Sequence, residues 1–163
     1  MILVIHDANI IIDLQVAGLL ADFLGLDLES HTSDLILDEL NQPISDQIAS
    51  RQIKIKIWSA KEMAEIVLNQ RSQPKPISIP DCSVMLLAQK MNGVLLTGDA
   101  NLRFCAERIG IQVHGTLWIF DQLVAASLLA PPEAADRLER LLESGRRLPE
   151  SIVRHRLEQW RKG

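Results

Sequence analysis

Four acidic residues in separate segments of the chain could do chemistry together: Asp7, Glu39, Asp81 and Asp99. Carboxylates that lie close together without cations repel each other and raise each other's pKa, so such a group needs a compensating partner. A hard divalent cation such as Mg²⁺ or Mn²⁺ removes that repulsion, because it prefers oxygen ligands. The main use of such a cation among carboxylates is phosphate chemistry, in which it polarises a phosphoryl oxygen and lowers the pKa of an attacking water.

Three of these acids also have an ordinary structural explanation. Asp is a favoured residue at the start of a helix, and Asp7 and Asp99 each precede a predicted helix. Asp81 follows Ser78 by three positions, which is the spacing of a capping box. From the residues alone, helix capping and a shared site both stay open for each of the three.

Glu39 is interpreted from the periodicity of its segment. The spacing predicts a helix over 35–41, capped by Thr32 or Ser33, with Glu39 inside the apolar arc and Asp38 outside it. A carboxylate on a buried face needs a partner, either a cation in a salt bridge or a metal. Only nine Lys and Arg residues occur in positions 1–132, so few cations are available.

The elements that must position these acids follow from the hydrophobic pattern. Strands are predicted at 2–5, around 31–33, and at 53–58, 94–96 and 111–113. Helices are predicted at 10–14, 16–25, 35–41, 60–70, 81–91, 101–109, 117–128, 133–144 and 150–161. This alternation predicts an α/β fold with a mostly parallel sheet. In such folds, the functional residues lie beyond the carboxyl ends of the strands. Asp7 and Asp99 directly follow two of those strands.

Composition limits the classes of protein. With 163 residues, 47% of them hydrophobic, the chain is long enough for a sizeable core and too apolar to be disordered. A net charge of -4 argues against a generic electrostatic binder of nucleic acid. Two cysteines without a metal or disulfide spacing, no signal peptide and no apolar run of membrane length predict a cytoplasmic protein.

The end of the chain is expected to be a separate appendage. Pro131-Pro132 interrupts the pattern, and positions 133–163 carry a local net charge of +2 against -6 for positions 1–132. We therefore expect a body over 1–130 and a C-terminal helical extension over 131–163, packed on the body or on a partner. Both predicted helices carry apolar stripes that a short helix pair cannot bury alone.

The ordered set of motifs resembles the PIN-domain family over roughly residues 1–125. The segments that carry the resemblance are Asp7-Ala8-Asn9 with its apolar run, Leu37-Asp38-Glu39-Leu40, Pro80-Asp81 and Leu95-Leu96-Thr97-Gly98-Asp99-Ala100-Asn101-Leu102. The resemblance implies a three-layer sandwich around a mostly parallel sheet, followed here by the C-terminal extension. The tail departs from compact members of the family, which usually stop near the last helix of the body.

PIN domains of this kind are Mg²⁺- or Mn²⁺-dependent ribonucleases, and many are VapC-like toxins paired with an antitoxin. The resemblance implies that the metal-binding and catalytic acids are Asp7, Glu39, Asp81 and Asp99. It also implies that Asn9 and Thr97 support the site. Asn101 matches a supporting position that is often a further acid, and its neutrality puts strong binding of a second metal in doubt.

The function expected from the resemblance is that of a metal-dependent endoribonuclease, the toxin of a toxin–antitoxin pair. Its expected partners are an RNA substrate, an antitoxin protein and a second copy of the chain, without a membrane. One alternative is a PIN-like binding module without catalysis, with the C-terminal helices holding a partner. A phosphatase with an Asp nucleophile is disfavoured, because Asn9 stands where that class has a second Asp.

Overall fold

The fold was analysed in a computed structural model that describes residues 1–49 and 52–162. The described chain divides into two compact units. The first unit contains Met1–Ile10 and Asp27–His114, and the second contains Ile11–Leu26 and the described part of Gly115–Gly163. No helix in the described ranges is long and apolar enough to cross a membrane.

The first unit is built on a five-stranded sheet in which every pair is parallel. Its strands are β1 (Ile2–His6), β2 (Leu28–Ser33), β3 (Lys54–Lys56), β4 (Val94–Leu96) and β5 (Val113–His114). The helices of this unit are α3 (Asp34–Leu37), α4 (Gln42–Ala49), α5 (Ala60–Arg71), α6 (Ile79–Met91) and α7 (Ala100–Arg108), together with the start of α1 (Ala8–Ala17). The predicted α/β fold with a parallel sheet is confirmed.

In the strand order β3-β2-β1-β4-β5, the chain adds β2 and β3 on one side of β1 and then β4 and β5 on the other. The direction of the connections therefore reverses between β1 and β4. Ile5 is in register with Leu95, and the N–H of Asp7 donates to the carbonyl of Leu96 at 3.0 Å. In open parallel sheets, a crevice for ligands forms outside the carboxyl ends of the strands at such a point. The two strands that precede Asp7 and Asp99 are therefore direct neighbours at this edge.

The core of the first unit lies along these central strands. Val4, Ile5 and Leu95 are fully buried, as expected for a continuous apolar run covered on both faces of a parallel sheet. Helix α6 packs on β1, β2 and β4. Gly93, between α6 and β4, permits close packing, because a Cβ there would lie 2.4 and 2.6 Å from the side chains of Leu3 and Ile5, which would have to shift.

The second unit is helical. It contains the rest of α1, together with α2 (Leu20–Leu24), α8 (Thr116–Ala125), α9 (Pro131–Glu143) and α10 (Glu150–Lys162). Helices α9 and α10 pack against each other, and α8 packs against α2 and α9. The rings of Phe120 and Trp160 stack with centroids 5.9 Å apart, and Arg156 makes a two-pronged hydrogen bond to Asp121 at 2.7 and 2.8 Å. The C-terminal helices thus bury Trp160 against α8.

The predicted helix over 35–41 is wrong in its length. Helix α3 stops at Leu37, and the chain continues through two tight turns closed by backbone bonds from Glu39 and Leu40 to the carbonyls three residues earlier. Asn41, expected at the end of that helix, instead accepts from the N–H of Ile44 and begins α4, which the sequence analysis missed. Asn followed closely by Pro43 is a start signal for a helix, and it competes with the apolar periodicity before it.

The predicted strand over 53–58 is also shorter than expected. Strand β3 ends at Lys56, and Ile57 is 74% exposed whereas Trp58 is buried. Strict alternation would have buried Ile57 instead. The alternation fails because the indole of Trp58 turns inward and donates to the hydroxyl of Ser33 at 2.9 Å.

Candidate active site

Asp7 lies at the centre of the candidate site and is 1% exposed. Its Oδ1 accepts from the N–H of Ala8 at 2.7 Å, and its Oδ2 accepts from the hydroxyl of Thr97 at 2.7 Å. Burial raises the pKa of Asp7 to about 7; the bonds from Thr97 and Ala8 oppose this shift, and the charges of Asp81 and Glu39 add to it. Asp7 is therefore a carboxyl group that gains or loses its proton near neutral pH.

Thr97 connects the two acids that follow β1 and β4. It is fully buried, and its hydroxyl donates to Asp7 while accepting from the N–H of Asp99 at 3.1 Å. Asp99 is the N-cap of α7, with its Oδ1 accepting from the N–H of Leu102 at 2.8 Å. One hydroxyl group therefore orients Asp7 and holds the loop that carries Asp99.

Asp81 occupies the third position of α6 and completes a capping box with Ser78. Its Oδ2 accepts from the N–H of Ser78 at 3.0 Å, while its own N–H donates to the hydroxyl of Ser78 at 3.1 Å. Burial raises the pKa of Asp81, the bonds with Ser78 lower it, and the charge of Asp99 raises it further. The capping interpretation is thus confirmed for Asp81 and Asp99, yet each carboxylate keeps a second oxygen for other partners.

Glu39 does not lie on a buried helix face, so that part of the sequence analysis is wrong. It follows α3 in the turn and its side chain is exposed, like that of Asp38. Partial burial raises the pKa of Glu39, and the charge of Asp81 adds to this shift. Within residues 1–49 and 52–162, no hydrogen bond or ion pair engages the Glu39 carboxylate.

The two asparagines suggested by the resemblance behave differently. Asn9 lies on the first turn of α1, two residues after Asp7, and is partly exposed. Asn101 donates through Nδ2 to the carbonyl of Pro76 at 3.1 Å. Its amide therefore holds the loop before α6.

The four acids form a chain of mutual repulsion at this edge of the sheet. The charges of Asp81 and Glu39 raise the pKa of Asp7, the charge of Asp81 raises the pKa of Glu39, and the charge of Asp99 raises the pKa of Asp81. Among the described residues, no lysine or arginine forms an ion pair within 4.0 Å with any of these carboxylates. The salt-bridge alternative for Glu39 is therefore wrong for this part of the chain.

Carboxylate oxygens of this kind suit a hard divalent cation that keeps several waters. In the described ranges, no three His, Cys, Asp or Glu side chains converge closely enough to enclose an ion. Mg²⁺ commonly binds through only one or two carboxylates and retains water in its other positions. Asp7, Glu39, Asp81 and Asp99 all offer the carboxylate oxygens that such an ion prefers.

Sequence reasoning missed the hydroxyl groups beneath the acids. Ser33 was expected only as a helix cap, a role confirmed by the bond that it accepts from the N–H of Leu35 at 3.2 Å. Its hydroxyl also lies 2.8 Å from that of Ser83, which is fully buried on α6. A Ser between buried residues inside a helix is a signal of such a partner, since buried hydroxyl groups are almost always hydrogen-bonded.

A PIN-domain family model matches residues 3–162, and the chain therefore belongs to the PIN-domain family. Membership indicates a nuclease-type function, and PIN domains typically use divalent metals. Among solved structures, the chain is similar to a PilT N-terminus domain protein from the hyperthermophilic archaeon Sulfolobus solfataricus P2. The identity is 9%, the TM-score is 0.44, and the match covers 72% of this chain and 90% of that chain. No curated protein matches the chain.

Replacing Asp81 with Asn separates its charge from its capping role. Asn keeps an oxygen for the N–H of Ser78, so the Asp81→Asn variant should retain the helix cap. Because it removes a repelled charge, we expect its melting temperature in EDTA to rise by a few degrees and its stabilisation by added Mn²⁺ to shrink. Thermal melts with EDTA and then with Mn²⁺ measure both effects.

Ser78→Ala is the matched control for that experiment. It removes the other half of the same capping box and keeps the charge of Asp81. It should lose about 1 kcal/mol of stability in EDTA and in Mn²⁺ alike. Identical melting curves for Asp81→Asn and the unaltered protein in both conditions would show that the charge of Asp81 has no part in a metal site.

Proposed function

We propose that the protein is a metal-dependent endoribonuclease that hydrolyses phosphodiester bonds in RNA. The observation that carries the proposal is the group of carboxylates Asp7, Glu39, Asp81 and Asp99 at the switch point of the sheet, with which no lysine or arginine of the described residues forms an ion pair. Such a cluster is unfavourable in the free protein and becomes favourable with a bound cation. Membership of the PIN-domain family supports the same assignment.

In this proposal, the catalytic and metal-binding acids are those four residues, and the cofactor is Mg²⁺ or Mn²⁺. When bound, the ion supplies the Lewis acidity that polarises the phosphate and favours ionisation of the attacking water. Asp7 binds the ion in its ionised form, which requires loss of its proton near pH 7. Thr97 keeps the carboxylate of Asp7 in one orientation, and burial of both residues excludes water from that side.

The test is cleavage of a labelled single-stranded RNA of mixed sequence in buffers with Mg²⁺, Mn²⁺ or EDTA. We expect cleavage with metal, no cleavage in EDTA, and a loss of at least about 100-fold in the Asp7→Asn variant, since metal assistance contributes several kcal/mol. Asp38→Asn, which alters an exposed acid next to Glu39, is the control and should cleave normally. If the unaltered protein and Asp7→Asn cleave equally, the activity belongs to a contaminant and the binding-module alternative gains support.

We further propose that the protein is a toxin with a cognate antitoxin, and that it acts in the cytoplasm as a homodimer. It is supported by the resemblance of the motifs to VapC-like proteins. Expression in a bacterial host should arrest growth, and the Asp7→Asn variant should not. Normal growth at high levels of active enzyme would argue against the toxin role while leaving the nuclease activity intact.

A further inference from the structure

Ser33 lies at the end of β2, is fully buried, and has its whole hydrogen-bonding capacity in use. The N–H of Leu35 and the indole N–H of Trp58 both donate to its Oγ, at 3.2 and 2.9 Å. A hydroxyl group has two acceptor positions and one proton. Both acceptor positions of Ser33 are therefore filled by N–H donors, which leaves its proton to be donated.

The direction of the next bond follows from counting protons. The Oγ of Ser83 lies 2.8 Å from that of Ser33 and 2.6 Å from the carbonyl oxygen of Pro80. Because a carbonyl can only accept, the single proton of Ser83 points to Pro80. The proton between the two serines must then come from Ser33, so one directed chain runs from Ser33 through Ser83 to Pro80.

This hydroxyl chain joins the two segments that carry Glu39 and Asp81. At one end, Ser33 caps α3, and Glu39 follows that helix by two residues. At the other end, the carbonyl of Pro80 belongs to the residue directly before Asp81, in the first turn of α6. The hydroxyl groups of Ser33 and Ser83 are fully buried, and the bond to Pro80 is part-buried, so these two hydroxyl groups link the two segments from beneath the acids.

We propose that Ser33 is a positioning residue, whose hydroxyl chain sets the separation of Glu39 and Asp81 for binding a divalent cation. The inference rests on the proposed function, because it assigns a role at the same metal site. Residues that orient metal ligands typically change metal affinity by 10–100-fold when they are altered. A serine with a purely structural role would change the stability of the fold and leave the affinity of the folded protein unchanged.

The experiment measures Mn²⁺ affinity of the full chain by isothermal titration calorimetry, at a temperature where every variant is folded. We expect Ser33→Ala and Ser83→Ala each to weaken Mn²⁺ binding about 10-fold. The double variant should be no weaker than the poorer single variant, because both substitutions break one chain. If Ser33→Ala does not fold, Ser83→Ala alone tests the chain.

Two controls separate positioning from stability. Ser30→Ala alters another buried serine of β2, and Val84→Ala removes buried side-chain volume from α6 beside Ser83. We expect both to bind Mn²⁺ within about 2-fold of the unaltered protein, although Val84→Ala should melt at a lower temperature. A Val84→Ala affinity that falls as far as that of Ser33→Ala would overturn the inference, because affinity would then follow stability.

The proposed function and the positioning role fail in different ways. If the unaltered protein binds Mn²⁺ and Ser33→Ala and Ser83→Ala bind it equally well, the positioning role is wrong and the metal site stands. If the unaltered protein binds no Mn²⁺ in the millimolar range, the proposed function is wrong and the positioning role falls with it. A 10-fold loss confined to Ser33→Ala and Ser83→Ala supports both.

Discussion

Asp7→Asn should melt roughly 6–12 °C higher than the unaltered protein at pH 7.5 in EDTA, and the two should converge near pH 4. The pKa of Asp7 is about 7 in the folded chain against 3.8 without the fold. A carboxyl group with a raised pKa destabilises the folded state at every pH above its unfolded value. Its contribution is on the order of 4 kcal/mol at neutral pH, since each unit of pKa corresponds to about 1.4 kcal/mol.

The size of the expected shift includes a small opposing effect. An amide at position 7 cannot accept from both the N–H of Ala8 and the hydroxyl of Thr97, which loses roughly 1 kcal/mol. For a chain of this size, each kcal/mol of stability shifts the melting temperature by roughly 2–4 °C, so the remaining gain of about 3 kcal/mol gives the expected rise. Thermal melts between pH 4 and pH 8 in EDTA measure this difference.

His6, the residue before Asp7, also makes the stability of the fold depend on pH, with the opposite sign. Burial lowers the pKa of His6 to about 3, and the charge of His31 adds to this shift. Below about pH 6.5, the imidazole of His6 therefore binds a proton in the unfolded chain, whereas in the folded chain it stays neutral down to about pH 3. His6 therefore makes stability rise with pH between about 4 and 6.5, whereas Asp7 makes it fall. The two effects oppose each other in the unaltered protein, and Asp7→Asn should reveal the rising slope.

Asp38→Asn is the control for this series, because it removes one charge from an exposed position. It should move the melting temperature by no more than about 2 °C at any pH, as expected for a surface substitution within 0.5 kcal/mol. Parallel curves for Asp7→Asn and the unaltered protein across the whole pH range would contradict the assignment of a proton to Asp7. Mn²⁺ should stabilise the unaltered protein more strongly as pH rises, since metal binding releases that proton.

Local patterns predicted the parts of the site that depend on neighbouring strands. The acids Asp7 and Asp99 directly follow buried apolar runs, and a parallel sheet brings such positions to one edge regardless of the rest of the chain. The site role of Asp81 was predicted from the Pro80-Asp81 motif, and its capping box was predicted from its position three residues after Ser78. For Asp81 and Asp99, helix capping does not compete with the proposed role at the site, because a carboxylate has two oxygens and the cap uses one of them.

Glu39 and the hydroxyl chain could not be predicted in the same way. The orientation of Glu39 depends on where α3 stops, and apolar periodicity extended that helix past its end at Leu37. The contact between Ser33 and Ser83 joins residues 50 positions apart, so no local pattern contains it. Its only trace in the sequence is a polar residue at a buried helix position, which does not identify a partner.

The second unit contains a buried acid whose partners are even more distant in sequence, at 103 and 133 positions. Asp13, on α1, is 4% exposed, and both of its carboxylate oxygens accept hydrogen bonds. The hydroxyl of Thr116 donates to Oδ2 at 2.7 Å, and the Nε of Arg146 donates to Oδ1. Arg146 lies between α9 and α10, so this ion pair ties the C-terminal helices to α1.

Arg146→Met should lower stability by about 3 kcal/mol and the melting temperature by roughly 6–12 °C. Met keeps much of the volume of the side chain but leaves the charge of Asp13 buried with one hydroxyl donor. Breaking a buried ion pair from one side costs about 3–5 kcal/mol, and the lower end applies because the side chain of Arg146 is 30% exposed. Thermal and urea unfolding, followed by circular dichroism, measure the loss.

Arg147→Met provides the control, since it removes a neighbouring arginine that is exposed, and it should change the melting temperature by no more than about 2 °C. Asp13→Asn with Arg146→Met completes a double-mutant cycle, because the amide introduced by Asp13→Asn still accepts from Thr116 and carries no charge. The double variant should recover part of the stability lost in Arg146→Met, with a coupling energy of about 2 kcal/mol. Additive losses in this cycle would mean that Arg146 stabilises the C-terminal helices through its packing, and that the ion pair with Asp13 contributes nothing.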